Sequence, residues 1–200
     1  MSGLTLYTNT MSRGNTVDLF FKILAVPYQR IELGYGADMH TPEYLAINPM
    51  GKVPALVDGD NIITESAAIC MYLADKFIEK DFAPAIDSPA RAAYYRWFLF
   101  TAGPVEAAFT AREMGMKLDE EQQARSGFGS FERVMACLEK GLTDAKPYLC
   151  GNTLTAVDVY VGAFLFFLAK HNLIEISPVI ARYIESLALN PEFASVISAK

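Results

Sequence analysis

Asn48-Pro49-Met50-Gly51-Lys52-Val53-Pro54-Ala55-Leu56, followed a hairpin later by Thr64-Glu65-Ser66-Ala67, is the stretch on which the reading of this chain turns. Pro54 falls inside a strand-like run, where it cannot donate a ladder hydrogen bond. A cis Val53–Pro54 bond at the edge of a sheet reconciles the two. Such a turn presents the N–H and C=O of Val53 as an unpaired edge for a peptide. Glu65 and Ser66 then open a helix, whose N-terminus attracts anions. A carboxylate and a hydroxyl there suit the ammonium and the carboxylate of one ligand. Taken alone, Thr64, Glu65 and Ser66 also read as ordinary first-turn residues. Lys52 is placed to meet a carboxylate at the far end of such a peptide, although a lone lysine is usually a solvated charge.

Outward from this stretch, Asp58-Gly59 joins Val53–Val57 to Ile62–Ile63 as a hairpin. Residues 65–77 read as a helix, with Ile69, Leu73 and Phe77 four apart. Upstream, Leu4 and Leu6 alternate with Thr5 and Tyr7 as a strand with one buried face. Val17, Phe20, Phe21 and Leu24 line one face of a helix that Pro27 ends. Tyr28 to Leu33 reads as a second strand, and 34–50 as a long, irregular connection. The order β-α-β, connection, β-β-α is one that a thioredoxin-like domain uses.

Residues 81–89 carry Pro84, Ser88 and Pro89 and read as a linker. Beyond it the strand signals vanish. Residues 91–115 form a long helical pattern rich in aromatics, and 121–142 continue on a helical period. Residues 147–152 are a break. Thr155 and Asp158 then form a capping box, with Leu154 and Val159 placed as its hydrophobic staple. The helix behind them runs to about Lys170, and 179–188 gives another.

Ser12 lies in the loop 8–15 that feeds the first helix. It reads as a plain helix cap or as a donor to a bound thiolate. A hydrogen bond to an anion contributes roughly 1.5–3 kcal/mol, and the helix dipole about 0.3–1 kcal/mol. Together these lower a thiol's pKa by roughly one to three units, into the thiolate range at neutral pH. Tyr7 is the competing hydroxyl, with strand packing as its plain reading. The loop reads Ser12-Arg13-Gly14-Asn15 and has no Cys-x-x-Cys, which argues against disulfide exchange through protein cysteines.

The chain has 200 residues, 52% of them hydrophobic, and a net charge of −6. That composition is globular, and without a Lys/Arg cluster it argues against nucleic acid and anionic membrane surfaces. The most apolar segment, Val159 to Ala169, falls short of the about 20 residues that span a bilayer. The first residues show no signal-peptide pattern. Cys70, Cys137 and Cys150 lack metal-ligand spacing, and His40 and His171 stand far apart. No metal is expected, and the setting reads as reducing and cytoplasmic. The aromatic run Tyr94 to Phe100 reads mainly as core, and because it is aromatic on several sides part of it is placed to line an apolar pocket beside Ser12.

On Leu6-Tyr7, Ser12-Arg13-Gly14, Asn48 to Leu56, Glu65-Ser66-Ala67-Ala68-Ile69, Tyr72-Leu73 and Leu154-Thr155-Ala156-Val157-Asp158, the chain resembles the glutathione S-transferase superfamily over nearly its full length. The resemblance implies a thioredoxin-like α/β domain over 1–80, a linker over 81–89, an all-helical domain over 90–200, and usually a homodimer. It also implies glutathione as co-substrate. Val53 would bond its cysteinyl backbone beside cis-Pro54, Glu65 and Ser66 would hold its γ-glutamyl end, and Lys52 and His40 would lie near its glycyl end. In tyrosine-type members the catalytic tyrosine stands closer to an Arg-Gly pair than Tyr7 does, and cysteine-type members carry a cysteine that this loop lacks. Ser12 is therefore the better candidate, as in serine-type branches, and the chain is closer to bacterial members than to animal ones.

The leading expectation is an enzyme that activates glutathione's thiol for attack on an electrophilic, hydrophobic small molecule held by the helical domain, with Phe98, Thr101, Val105 and Phe109 as the candidate walls of its pocket. Two alternatives stay open: a transferase-like binding or regulatory protein without turnover, and a glutathione-dependent disulfide or peroxide reductase.

Overall fold

The structure, a computed structural model, describes residues 3–198. It divides into two compact units, one taking the chain up to Phe82 and again from Ala188 onward, the other Ala83–Leu187.

In the first unit, β1 (Leu4–Thr8), β2 (Gln29–Glu32), β3 (Ala55–Asp58) and β4 (Asn61–Thr64) form one sheet in the order β2-β1-β3-β4. β1 pairs parallel with β2 and antiparallel with β3, and β3 pairs antiparallel with β4. β3 begins one residue after Pro54, so the proline stands just outside the ladder it cannot join. Leu4, Leu6 and Leu56 are buried, and α1 (Gly14–Leu24) and α3 (Ser66–Lys76) pack together against this sheet. Val17, Phe20, Phe21 and Leu24 of α1 are buried, as their helical spacing predicts. Alternation along the strands turns Tyr7 and Ala55 to the opposite face, where Met39 and Tyr44 complete a second apolar cluster. Tyr44 belongs to α2 (Pro42–Leu45), a short helix that the irregular reading of 34–50 missed.

The second unit is helical throughout. It contains α4 (Ala90–Phe100), α5 (Glu106–Glu113), α6 (Glu120–Arg125), α7 (Phe131–Asp144), α8 (Ala156–Lys170) and α9 (Pro178–Leu187). The expected helix over 91–115 is interrupted by a π-helical turn at Thr101–Val105. Pro104 lies inside it and has no N–H to give an ordinary helical ladder. The expected helix over 121–142 is likewise two helices: Gly129 adopts φ 70°, and Ser130 starts α7 afresh by accepting from the Arg133 N–H at 3.3 Å.

One boundary differs from expectation. α10 (Pro191–Ser198), which the sequence assigns to the helical domain, packs on α1 in the first unit with Phe193 fully buried.

Asp158 holds the turn into α8. Its fully buried carboxylate accepts from the Leu149 N–H at 2.8 Å, the Thr155 N–H at 3.0 Å, the Thr155 hydroxyl at 2.7 Å and the Tyr183 hydroxyl at 2.8 Å. Burial raises its pKa, and these donors pull the other way. Asp158→Ala leaves them without an acceptor, and each such loss costs about 1–3 kcal/mol. We expect a loss of about 3 kcal/mol or more in urea unfolding; an unchanged midpoint would contradict this role.

Candidate functional site

The sheet register gathers three chain segments at one end. Tyr7 pairs with Ala55, and Ala55 with Thr64. The chain leaving β1 toward Ser12, the chain entering β3 through Val53–Pro54, and the chain leaving β4 into Glu65–Ser66 therefore meet there.

The Val53–Pro54 peptide is cis. Neither the N–H nor the C=O of Val53 takes part in a hydrogen bond among the described residues. The peptide is fixed from behind: the Lys52 carbonyl accepts from the Tyr44 hydroxyl at 2.5 Å and from Asn48 Nδ2 at 2.7 Å. Burial is the main cause that lifts the Tyr44 phenol to about 12, so it is a proton donor at neutral pH. Asn48 Oδ1 also accepts from the Met50 N–H at 3.1 Å, an Asx turn. Gly51 follows at φ 59°, and a side chain there would crowd the Met39 carbonyl and the His40 ring. His40 Nδ1 donates to the Gly36 carbonyl at 2.7 Å. His40 and Lys52 are thus brought to one loop.

The β1–α1 loop is built the same way. Asn9 Oδ1 accepts from the Met11 N–H at 2.8 Å, and its Nδ2 donates to the Leu33 carbonyl at 2.7 Å. Glu32 accepts from the Thr10 N–H at 2.8 Å and the Thr10 hydroxyl at 3.1 Å, and the first of these is the main cause that lowers its pKa. Gly14 is needed because a Cβ there would overlap the buried Thr8 hydroxyl.

Ser12 sits inside this frame. Its hydroxyl donates to the Asn9 carbonyl at 2.7 Å and accepts from the Gly14 N–H at 3.0 Å. The Asn15 and Thr16 N–H groups donate to the Ser12 and Arg13 carbonyls. These three N–H groups at the start of α1 are therefore satisfied within the loop itself.

Glu65 adopts φ 68°, ψ 118°, a conformation costly for a residue with a side chain and characteristic of functional sites. It immediately precedes α3, whose start has no side-chain cap. The Ser66, Ala67 and Ala68 N–H groups donate to no described residue. This helix start therefore holds orphan donors suited to an anion.

Tyr7 is not brought to the Ser12 loop by any described contact. Its ring lies 5.6 Å from that of Tyr44, within the cluster on the other sheet face. The candidate pocket walls lie within the helical unit. Phe98, Thr101, Val105 and Phe109 are all buried. Val105 and Phe109 belong to a core cluster with Val134 and Phe164, and Phe98 packs on Tyr94 and Tyr160. Phe98, Val105 and Phe109 thus take part in core packing, as the base rate for apolar residues on helices favours. The sequence reading passed over Asn9, Glu32, Tyr44 and Asn48 as functional supports. The Asx-turn habit of asparagine was the signal available for two of them.

Comparison with known proteins decides the family. The family description "Glutathione S-transferase, N-terminal domain" matches residues 2–75, and "Glutathione S-transferase, C-terminal domain" matches residues 120–185. Glutathione S-transferase Z2 of Arabidopsis thaliana is 30% identical over 189 residues, covering 92% of this chain and 84% of the relative. The chain belongs to the glutathione S-transferase family. Glutathione S-transferase GstA of Escherichia coli O157:H7 is 27% identical over 183 residues, 90% of this chain and 87% of its own length. Among solved structures, a glutathione transferase homolog from Sulfitobacter with bound glutathione superposes with TM-score 0.74 at 25% identity, covering 98% of this chain and 97% of that one. These likenesses fit a thioredoxin-like unit joined to an all-helical one.

Asn48→Ala removes the donor to the Lys52 carbonyl and the acceptor of the Met50 N–H. We expect a loss of about 1–3 kcal/mol in urea unfolding, with Tyr44→Phe costing less because the Lys52 carbonyl keeps Asn48. Equal, negligible losses in both variants would show that the clamp does not matter.

Proposed function

We propose that this protein is a serine-type glutathione transferase that holds glutathione across one end of the first unit's sheet and activates its thiol for attack on a small hydrophobic electrophile. The observation that carries this reading is the Val53 peptide, with both hydrogen-bonding groups unused. It stands between Ser12 and an uncapped helix start. A cysteinyl backbone bonds Val53 as an added strand would. The γ-glutamyl carboxylate takes Ser66 and the first N–H groups of α3, and the γ-glutamyl ammonium pairs with Glu65. Lys52 and His40 serve the glycyl carboxylate.

Ser12 has one step to make. Its O–H leaves the Asn9 carbonyl for the sulfur, exchanging a neutral acceptor for a charged one, and charge-assisted hydrogen bonds are roughly twice as strong. The Asn9 carbonyl keeps the Ser12 N–H at 3.0 Å. The thiol proton passes to solvent, and the thiolate's electron pair forms the new bond to the electrophilic carbon while that carbon's bond to its leaving group breaks, the leaving group taking that bond's electron pair.

Among the described residues no helix is long and apolar enough to cross a membrane, and no group of three or more His, Cys, Asp or Glu is placed to hold a metal. We extend the proposal to a metal-independent homodimer in the cytoplasm, a reading that rests on the family.

One observation favours a second reading, binding without turnover: the Ser12 hydroxyl is satisfied within its own loop. Titration of thiolate absorbance separates the two. For the enzyme, the bound thiol's pKa falls below its free value, and Ser12→Ala returns it by roughly a unit or more. A bound thiol that titrates as free glutathione does would leave only the binding reading. Ser66→Ala should weaken glutathione binding about tenfold or more in calorimetry while changing turnover at saturation little. The reverse pattern would refute its binding role.

A further inference from the structure

Thr8 ends β1 with its side chain on the face that Leu4 and Leu6 bury, beneath the start of α1. Its backbone is anchored, since the Thr8 carbonyl accepts from the Leu33 N–H at 2.9 Å. Its hydroxyl is not. The residue is 0% exposed, and its Oγ1 meets no hydrogen-bond partner among the described residues. Buried hydroxyls are nearly always paired, so one left alone calls for an explanation. Valine would fill the same shape, favours strands at least as well and has no hydroxyl to desolvate. Packing alone therefore does not account for a threonine here.

The surroundings of that oxygen do. A Cβ built on Gly14 would overlap Thr8 Oγ1 and stand 3.0 Å from Ser12 Oγ. Beyond Gly14's chain neighbours and its own helix, no other residue comes as close to that point. The two hydroxyls thus flank one glycine, with no side chain between them. Ser12 Oγ donates to the Asn9 carbonyl and accepts from the Gly14 N–H. A hydroxyl oxygen has two lone pairs, so Ser12 Oγ has room for one more donor. Thr8 carries a hydroxyl hydrogen that no described residue accepts.

We propose that Thr8 is a positioning residue for Ser12: when the Ser12 O–H turns from the Asn9 carbonyl to a bound sulfur, the Thr8 O–H donates to Ser12 Oγ, fixing that oxygen from the sheet side. The inference rests on Ser12 as the donor to the glutathione thiolate. Hydrogen bonds in a chain polarise one another, each strengthening the next by about 10–30%. The hydroxyl that stands unpaired in the free protein is a donor kept ready for the complex.

The test titrates thiolate absorbance in the full chain at saturating glutathione, comparing the parent with Thr8→Val, Thr8→Ser, Ser12→Ala and the double variant Ser12→Ala/Thr8→Val. The charged groups around the loop, Arg13 and the Glu32–Arg30–Asp18 chain, are common to all of them, so the differences isolate the hydroxyls. Thr8→Val should raise the bound thiol's pKa by about 0.3–1 unit, a roughly twofold to tenfold weaker ionisation. Thr8→Ser keeps the hydroxyl and should match the parent. With Ser12→Ala in place, Thr8→Val should add nothing, because Thr8 acts through Ser12. Thr8→Ala takes the same measurement should Thr8→Val disturb the fold. An unchanged pKa in Thr8→Val and Thr8→Ala, an equal rise in Thr8→Ser, or a rise that persists beside Ser12→Ala would each overturn the inference while leaving the serine-type reading intact. A parent whose bound thiol titrates as free glutathione does would overturn both together.

Discussion

The Lys52 carbonyl accepts from the Tyr44 hydroxyl and from Asn48 Nδ2, and what the first unit offers a peptide depends on that clamp. A carbonyl held twice cannot rotate without losing both bonds, so the next peptide, Val53–Pro54, stands at a fixed angle to β3. Since β3 begins only at Ala55, the N–H and C=O of Val53 stay outside the ladder. They lie at the entrance to a strand that is paired on both sides, one residue beyond the point where its ladder stops, and the edge expected from sequence is in this way the end of an interior strand. The unpaired stretch is a single peptide long, which suits a short ligand better than another strand.

The same economy governs the β1–α1 loop. Asn9 repeats what Asn48 does, closing an Asx turn with its oxygen and reaching a distant carbonyl with its nitrogen. Two loops remote in sequence are made rigid by one device, and both border the same end of the sheet. Glu65 adds a third, more costly constraint. A non-glycine residue at φ 68° persists only where its surroundings over-determine it. Pairing of β4 on one side and the start of α3 on the other supply that constraint. A site assembled beforehand in this way spends less ordering entropy when a ligand arrives.

The helical unit is organised around a buried charge instead of an edge. Asp158 satisfies the Thr155 start of α8, the Leu149 N–H and the Tyr183 hydroxyl at once, tying α8, α9 and the turn before them. In the same unit Tyr94, Trp97 and Phe98 of α4 and Phe109 of α5 are committed to packing. The residues that look most like pocket walls in sequence are therefore the least accessible.

What the sequence determined by itself were the features carried by local geometry. The helical spacing of Val17, Phe20, Phe21 and Leu24, the alternation of Leu4 and Leu6, Asp58-Gly59 and Thr155-x-x-Asp158 each state their structure within a few residues, because periodicity and turn chemistry are short-range. Pro54 is of the same kind: its missing N–H marks the end of a ladder wherever that ladder lies. Tertiary structure alone decided that Ser12 closes on Asn9, that Tyr7 faces Tyr44, that Phe98 and Val105 are core, and that α10 joins the first unit. Those outcomes depend on which face or carbonyl comes within about 3 Å after distant segments meet. A hydroxyl or a ring has the same sequence whichever partner it finds.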